Sequence, residues 1–256
     1  MITAGRALAQ FRVAVMLLTR LPAGQLAVPI PQLHDAVWAF PVVGLIVGGL
    51  GALGLGFGVW IGLPPGMAAG VALIIGVLAT GALHEDGLAD LADGFGGGQT
   101  PARKLEIMRD SRIGSFGTLA LILSIGMRWQ GLATVGAGSI ALTLCAPIAV
   151  AAISRAGVPA LMVALPPARR DGLGRAAAGG NATGAAVAVA IGVAAGVVFL
   201  GPVVGLAAAL AAGITLFGLG ALAMRQIGGQ TGDVLGAGQQ TAEIAAWLVV
   251  AAFVTG

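Results

Sequence analysis

Apolar runs long enough to cross a bilayer alternate along this chain with short clusters of charge and glycine, and they fall near residues 36–62, 66–92, 113–129, 130–153, 182–200, 203–223 and 242–256. A helix needs about 17 to 25 residues to cross the hydrocarbon core, and only the last run is marginal by that measure. Residues 7–19 read differently. Arg12 and Arg20 interrupt the apolar pattern there, which predicts a short interfacial or re-entrant helix. The expected fold is all-α: a polytopic integral membrane helix bundle forming one domain over residues 1–256, with about 6–8 transmembrane or re-entrant helices.

Composition sharpens this reading. The chain is 58% hydrophobic and 9% charged, with a mean hydropathy of +1.00, which excludes an ordinary soluble domain. Its 44 glycines suit close helix packing in lipid. A net charge of +3 does not imply nucleic-acid binding, because the basic residues are spread between the apolar runs, where they act as topology signals. Placing Arg6, Arg12 and Arg20 in the cytoplasm puts Arg103, Lys104, Arg109 and Arg112 there too, followed by Arg155, Arg169, Arg170 and Arg175, and then Arg225. Only Arg128 falls on the outer side. The same alternation gathers the acidic residues at the cytoplasmic ends of spans, so the active site is expected on that face. A single cysteine, Cys145, excludes an intrachain disulfide and a cysteine-cluster metal site.

Four of the ten acidic residues, Glu85, Asp86, Asp90 and Asp93, fall within nine positions of an apolar run. Asp86 to Asp90 and Asp90 to Asp93 are helical neighbour spacings, so a helix would set three carboxylates on one face with Glu85 beside them. Like charges repel there, and a divalent cation relieves the repulsion. Hard oxygen ligands favour Mg²⁺ or Mn²⁺, and metal held by Glu85, Asp86, Asp90 and Asp93 would act on phosphate oxygens. The plainer alternative is a solvated acidic helix end, but acids at a membrane rim usually mark function. His84 borders the cluster and suits either proton transfer or helix packing.

Two further clusters lie on the same side. In the segment from Arg103 to Gly117, Arg109 and Arg112 flank Asp110 and Ser111, and Gly114 and Gly117 follow near a helix start. Guanidinium groups bind phosphate bidentately, and backbone N–H groups at a helix start bind an anion. Further on, Gly228-Gly229-Gln230-Thr231-Gly232-Asp233 reads as a loop that returns Asp233 to the acidic face, to complete a metal shell or hold a substrate hydroxyl. The chain has no Walker-type Gly-Lys-Ser/Thr sequence and no recognisable nucleophile triad.

Leu18-Thr19-Arg20-Leu21-Pro22, Ala39-Phe40-Pro41-Val42-Val43-Gly44, the run from His84 to Gly94, Met108-Arg109-Asp110-Ser111-Arg112-Ile113-Gly114 and Gly232-Asp233-Val234-Leu235-Gly236-Ala237 together resemble the cobalamin synthase (adenosylcobinamide-GDP ribazoletransferase) family, in order along nearly the whole chain. The resemblance implies a multi-pass inner-membrane enzyme with magnesium as cofactor. Such an enzyme joins adenosylcobinamide-GDP to α-ribazole, or its 5′-phosphate, and releases GMP. It further implies catalytic roles for Asp86, Asp90 and Asp93, with Asp93 the first candidate for the base, and substrate binding by Arg109, Asp110, Arg112 and Asp233. Homo-oligomers or association with other enzymes of that pathway are compatible with it, though no motif speaks for them. Two other readings compete. A CDP-alcohol phosphatidyltransferase-like phospholipid synthase shares the chemistry, but its Asp-Gly-x-x-Ala-Arg order is absent. A cation-coupled transporter would place its charges near mid-membrane instead.

Overall fold

Proline, hydroxyl and glycine residues set the helix ends in this chain. The computed structural model describes residues 4–26, 28–172 and 181–256, so Arg175 lies outside the described residues. Helix α1 (Ala4–Leu18) is followed by α2 (Leu33–Ala36), which passes through a short 3-10 turn into α3 (Phe40–Trp60). Next come α4 (Pro65–Thr80), α5 (Leu83–Gly97), α6 (Pro101–Ile107), α7 (Ser115–Gly136), α8 (Ile140–Ala156) and α9 (Val158–Ala164). The chain closes with α10 (Ala182–Leu200), α11 (Pro202–Ile227) and α12 (Gly232–Thr255). Pro65, Pro101 and Pro202 occupy first-turn positions, where a missing N–H costs nothing. Side chains of Ser139, Asn181 and Thr231 cap α8, α10 and α12. No strand occurs among the described residues.

Six stretches are long and apolar enough to cross a membrane: Leu33–Trp60, Ser115–Gly136, Ile140–Ala164, Ala182–Leu200, Pro202–Ile227 and Gly232–Thr255. A seventh arises if α4 and α5 count as one broken span, bent by 88°. The protein is therefore a multi-pass helix bundle, as its apolar runs predict. Large side chains such as Phe217, Leu210 and Leu123 are exposed on its outside, the arrangement a lipid-facing surface needs.

Packing depends on small residues. A Cβ on Gly44 would collide with the Ala151 carbonyl, and one on Gly48 would stand 2.5 Å from the Pro147 carbonyl, so α3 and α8 touch through their backbones. Gly196 and Gly205 bring α10 against α11 in the same way. Helix α12 is central, packing on α11, α5, α7 and α8.

Three sequence expectations change. The run 66–92 is not one straight span, because Gly81 (φ 64°) and Ala82 (φ 58°) turn the chain between α4 and α5. The Arg20 backbone N–H bonds the Ala79 carbonyl (2.7 Å), and its side chain fills the space beside Gly81. The second change is that α7 continues to Gly136, so Arg128 sits inside a helix and is buried in the bundle rather than on an outer connection. Finally, α12 begins at Gly232, ten residues before the run at 242, so Asp233 stands in a helix's first turn and not in a loop.

Candidate active site

Glycine brings the two acidic helix ends together. A Cβ on Gly87 would lie 3.1 Å from the Asp233 backbone, and one on Gly236 would lie 3.4 Å from the Gly87 Cα. Only hydrogen at both positions lets α5 and α12 approach this closely. The contact sets Asp86 and Asp90, one helical turn apart on α5, beside Asp233 at the start of α12. Thr231 caps α12 through the Val234 N–H (3.3 Å) and donates its hydroxyl proton to the Asp233 carboxylate (3.1 Å).

Asp86, Asp93 and Asp233 are all within electrostatic reach of Asp90, and Arg169 is the cation facing Asp90 and Asp233. Its Nη1 is 3.7 Å from the Asp233 carboxylate, and its Nη2 donates to the Leu105 carbonyl (2.9 Å). Its Nε is buried without a hydrogen-bond partner among the described residues. Two backbone bonds hold the arginine in place: Ala168 N–H to the Gln230 carbonyl (2.9 Å) and Gln230 N–H to the Pro166 carbonyl (2.8 Å). The connection after α9 is thereby latched onto the glycine-rich segment before α12. By sequence Arg169 is only a topology signal; a loop cation carries no mark of the backbone pairing that places it.

Two of the four carboxylates expected at a metal are committed elsewhere. Glu85 is buried and paired with Arg128 (2.7 Å), and the Gln240 amide donates to the same oxygen (3.2 Å). Asp93 accepts the Gly114 N–H at 2.7 Å and the Gly117 N–H at 2.9 Å. The backbone donors that sequence analysis offers to a substrate anion are therefore taken by the protein's own carboxylate, which caps α7. This also leaves Asp93 poorly placed to collect a proton. By contrast, no hydrogen bond or ion pair among the described residues engages the carboxylate of Asp86, which is exposed, or of Asp90, which is half-buried.

The basic segment is open. Arg112, exposed on the loop between α6 and α7, bonds the Asp110 carboxylate through Nε (3.0 Å) and Nη2 (2.6 Å). This hydrogen bonding, with the Arg112 backbone N–H, holds the Asp110 pKa down at about 2. Arg109 pairs with Asp171 (2.5 Å). Together with Arg169 and Arg170, Arg109 lines an open recess of about 360 Å³ that also carries Glu106 and Asp171. Lys104 is buried and bonded to Gln226, serving packing instead.

Among the described residues, no three His, Cys, Asp or Glu side chains stand together as a metal-binding group. The donor chemistry nevertheless suits a hard divalent ion: Asp86, Asp90 and Asp233 supply oxygens, carry net negative charge against one arginine, and project from two helices in backbone contact.

A multi-pass helix bundle that gathers Asp86, Asp90 and Asp233 with Arg169 at one end defines a membrane protein with a charged site at that end. The comparisons narrow the class. The cobalamin-5-phosphate synthase family model matches residues 10–251, and the chain belongs to that family. Its relatives include adenosylcobinamide-GDP ribazoletransferases of Bradyrhizobium diazoefficiens (49% identical, covering 97% of this chain and 95% of the relative), Mesorhizobium japonicum (47%, covering 90% and 88%) and Brucella canis (44%, covering 81% and 82%). No solved structure matches the chain. The family assignment disfavours both the phospholipid synthase and the transporter.

Proposed function

We propose that the end of the bundle carrying Asp86, Asp90, Asp233 and Arg169 is where this chain performs adenosylcobinamide-GDP ribazoletransferase chemistry. A ribose hydroxyl of α-ribazole, or of its 5′-phosphate, attacks the phosphorus on the cobinamide side of the diphosphate. A new P–O bond forms, the bond to the GMP oxygen breaks, and the hydroxyl proton leaves to a carboxylate. Asp90 is the base on this reading, because it is half-buried and unpaired whereas Asp93 is tied to α7. Arg169, with its uncommitted Nε–H, binds a diphosphate oxygen and offsets charge as GMP departs. Arg109 and Arg170 line the recess that receives the nucleotide half. Arg112 and Asp110 close on each other at the mouth and orient the loop.

Mg²⁺ held by Asp86 and Asp233, with Asp90 left free to take the proton, would supply charge neutralisation on the diphosphate. Arg20, Arg103, Arg109, Arg112, Arg169, Arg170 and Arg225 support a cytoplasmic position for this end in the inner membrane. Homo-oligomers or pathway-enzyme partners fit the reading without being required by it.

The observation that carries the proposal is the split among the acids: Glu85 and Asp93 are bonded within the fold, while Asp86 and Asp90 are left to a ligand. It is tested by Mg²⁺-dependent GMP release from adenosylcobinamide-GDP, with and without α-ribazole, by purified wild type and Asp90→Asn. Release that requires acceptor, metal and Asp90 is expected; release by Asp90→Asn at the wild-type rate would overturn the site.

A further inference from the structure

Behind the carboxylates, inside the bundle, lies a second polar group that the reaction does not use. Arg128 on α7 bonds Glu85 on α5 (2.7 Å) and Glu243 on α12 (3.0 Å), and also the Gln240 side-chain carbonyl (2.9 Å). Gln239 donates to Glu243 (2.6 Å) and to Ser154 (3.0 Å). Arg155, near the end of α8 and 3% exposed, bonds only the Ala151 carbonyl of its own helix among the described residues (3.0 Å). Two buried atoms here have no partner among the described residues: Glu85 Oε2, an acceptor, and Arg155 Nε, a donor.

Both side chains line one cavity of about 50 Å³, walled by Gly48, Leu132, Pro147 and Trp247. An unmet acceptor and an unmet donor on two side chains that line one cavity call for a ligand that is both donor and acceptor. Charge selects which. The two guanidinium groups and two carboxylates cancel, so an inorganic ion would leave one buried charge uncompensated, whereas a neutral molecule would not. One water needs roughly 10–15 Å³ of such space, so on the order of three fit.

We propose that this cavity is a bound-water site, and that its water completes a strut from Arg155 through Glu85 to Arg128 that positions α5. Glu85 immediately precedes Asp86. Arg128 ties it to α7, Gln240 to α12, and the water to α8, so three helices fix the register of the catalytic carboxylates. Arg155 is thus a positioning residue, and this half of the proposal rests on the transferase reading.

Two measurements test it. In X-ray hydroxyl-radical footprinting of the full chain in detergent, Trp247 lines the cavity and Met108 does not, although each is 3% exposed. Trp247 should be labelled several-fold faster than Met108 after correction for intrinsic reactivity; equal protection means a dry cavity and overturns the site. Arg155→Met should slow Trp247 labelling and lower kcat tenfold or more, with KM for both substrates within twofold and most activity recovered in Arg155→Lys. Wild-type kcat in Arg155→Met, or equal loss in Arg155→Lys, overturns the strut. If Arg155→Met does not fold, Arg155→Met/Glu243→Gln, which keeps the charge balance, is read instead. Should wild type release no GMP, the transferase reading fails and the strut with it, while footprinting still decides the water site.

Discussion

The Asp93 carboxylate accepts the Gly117 backbone N–H at 2.9 Å, so an acid from the cluster on α5 serves as the N-terminal cap of α7. A Cβ on Gly117 would collide with Asp93 Oδ2 and stand 2.9 Å from the Ala89 carbonyl, and a backbone oxygen cannot swing away. Gly117→Ala should therefore cost about 1–3 kcal/mol through overpacking and loss of the cap. The check is thermal unfolding in detergent, and a midpoint equal to wild type would mean that α5 and α7 are not in this contact.

Asp93→Asn and Asp86→Asn should separate structure from chemistry. Asp93 uses one carboxylate oxygen for each of its two backbone donors, and the amide in Asp93→Asn keeps only one acceptor oxygen, so that variant should lose both thermal stability and turnover. Asp86 is exposed, and no hydrogen bond or ion pair holds its carboxylate among the described residues. Asp86→Asn should abolish GMP release while its unfolding midpoint stays within error of wild type. The reverse pattern, with Asp86→Asn unstable and Asp93→Asn active and stable, would return Asp93 to the chemistry.

Arg169 and Arg112 should also differ. Arg169 is mostly buried beside Asp233, whereas the Arg112 side chain is 87% exposed and closed on Asp110. Removing a preorganised donor at a developing charge typically costs about 10²–10³ in rate. Arg169→Ala is expected to lower kcat in that range, Arg169→Lys to recover part of it, and Arg112→Ala to change kcat/KM by less than about tenfold. Steady-state GMP release decides, and equal effects at both positions would place the diphosphate nearer the loop than the latch.

The bundle, and the acids gathered at one end of it, can be read from apolar run lengths, helical spacing and charge alternation. That alternation alone brings Asp233 to the acidic face, even though its helix reads as a loop. The misreading has a physical cause: Gly236, Gly238, Gln239 and Gln240 look like a connection by composition, yet in lipid, small residues and amides are what pack one helix on another. The turn at Gly81 and Ala82 is hidden because apolarity continues through it and only the backbone angles reveal it. Arg128 reads as an outer-side signal because a charge in an apolar run does not announce a partner 115 residues away. Arg169 lacks any local mark for the same reason, its position depending on pairing with Gln230.

Arg128 provides the sharpest contrast between stability and activity. It is buried with Glu85 and Glu243, so Arg128→Met leaves two carboxylates in the bundle interior without their cation and is expected to cost about 3–5 kcal/mol. Arg128→Met/Glu243→Gln leaves Glu85 and Arg155 as equal and opposite buried charges and should regain much of that loss, because the charges, not the side-chain volumes, create the penalty. Activity should not return with stability. The double variant no longer ties α5 to α7 through an ion pair, so Asp86 and Asp90 lose their register against Asp233. Thermal unfolding and GMP release measured on the same preparations decide the matter: recovery of both together would show that the ion pair serves folding alone, and recovery of stability without turnover would assign it to positioning α5.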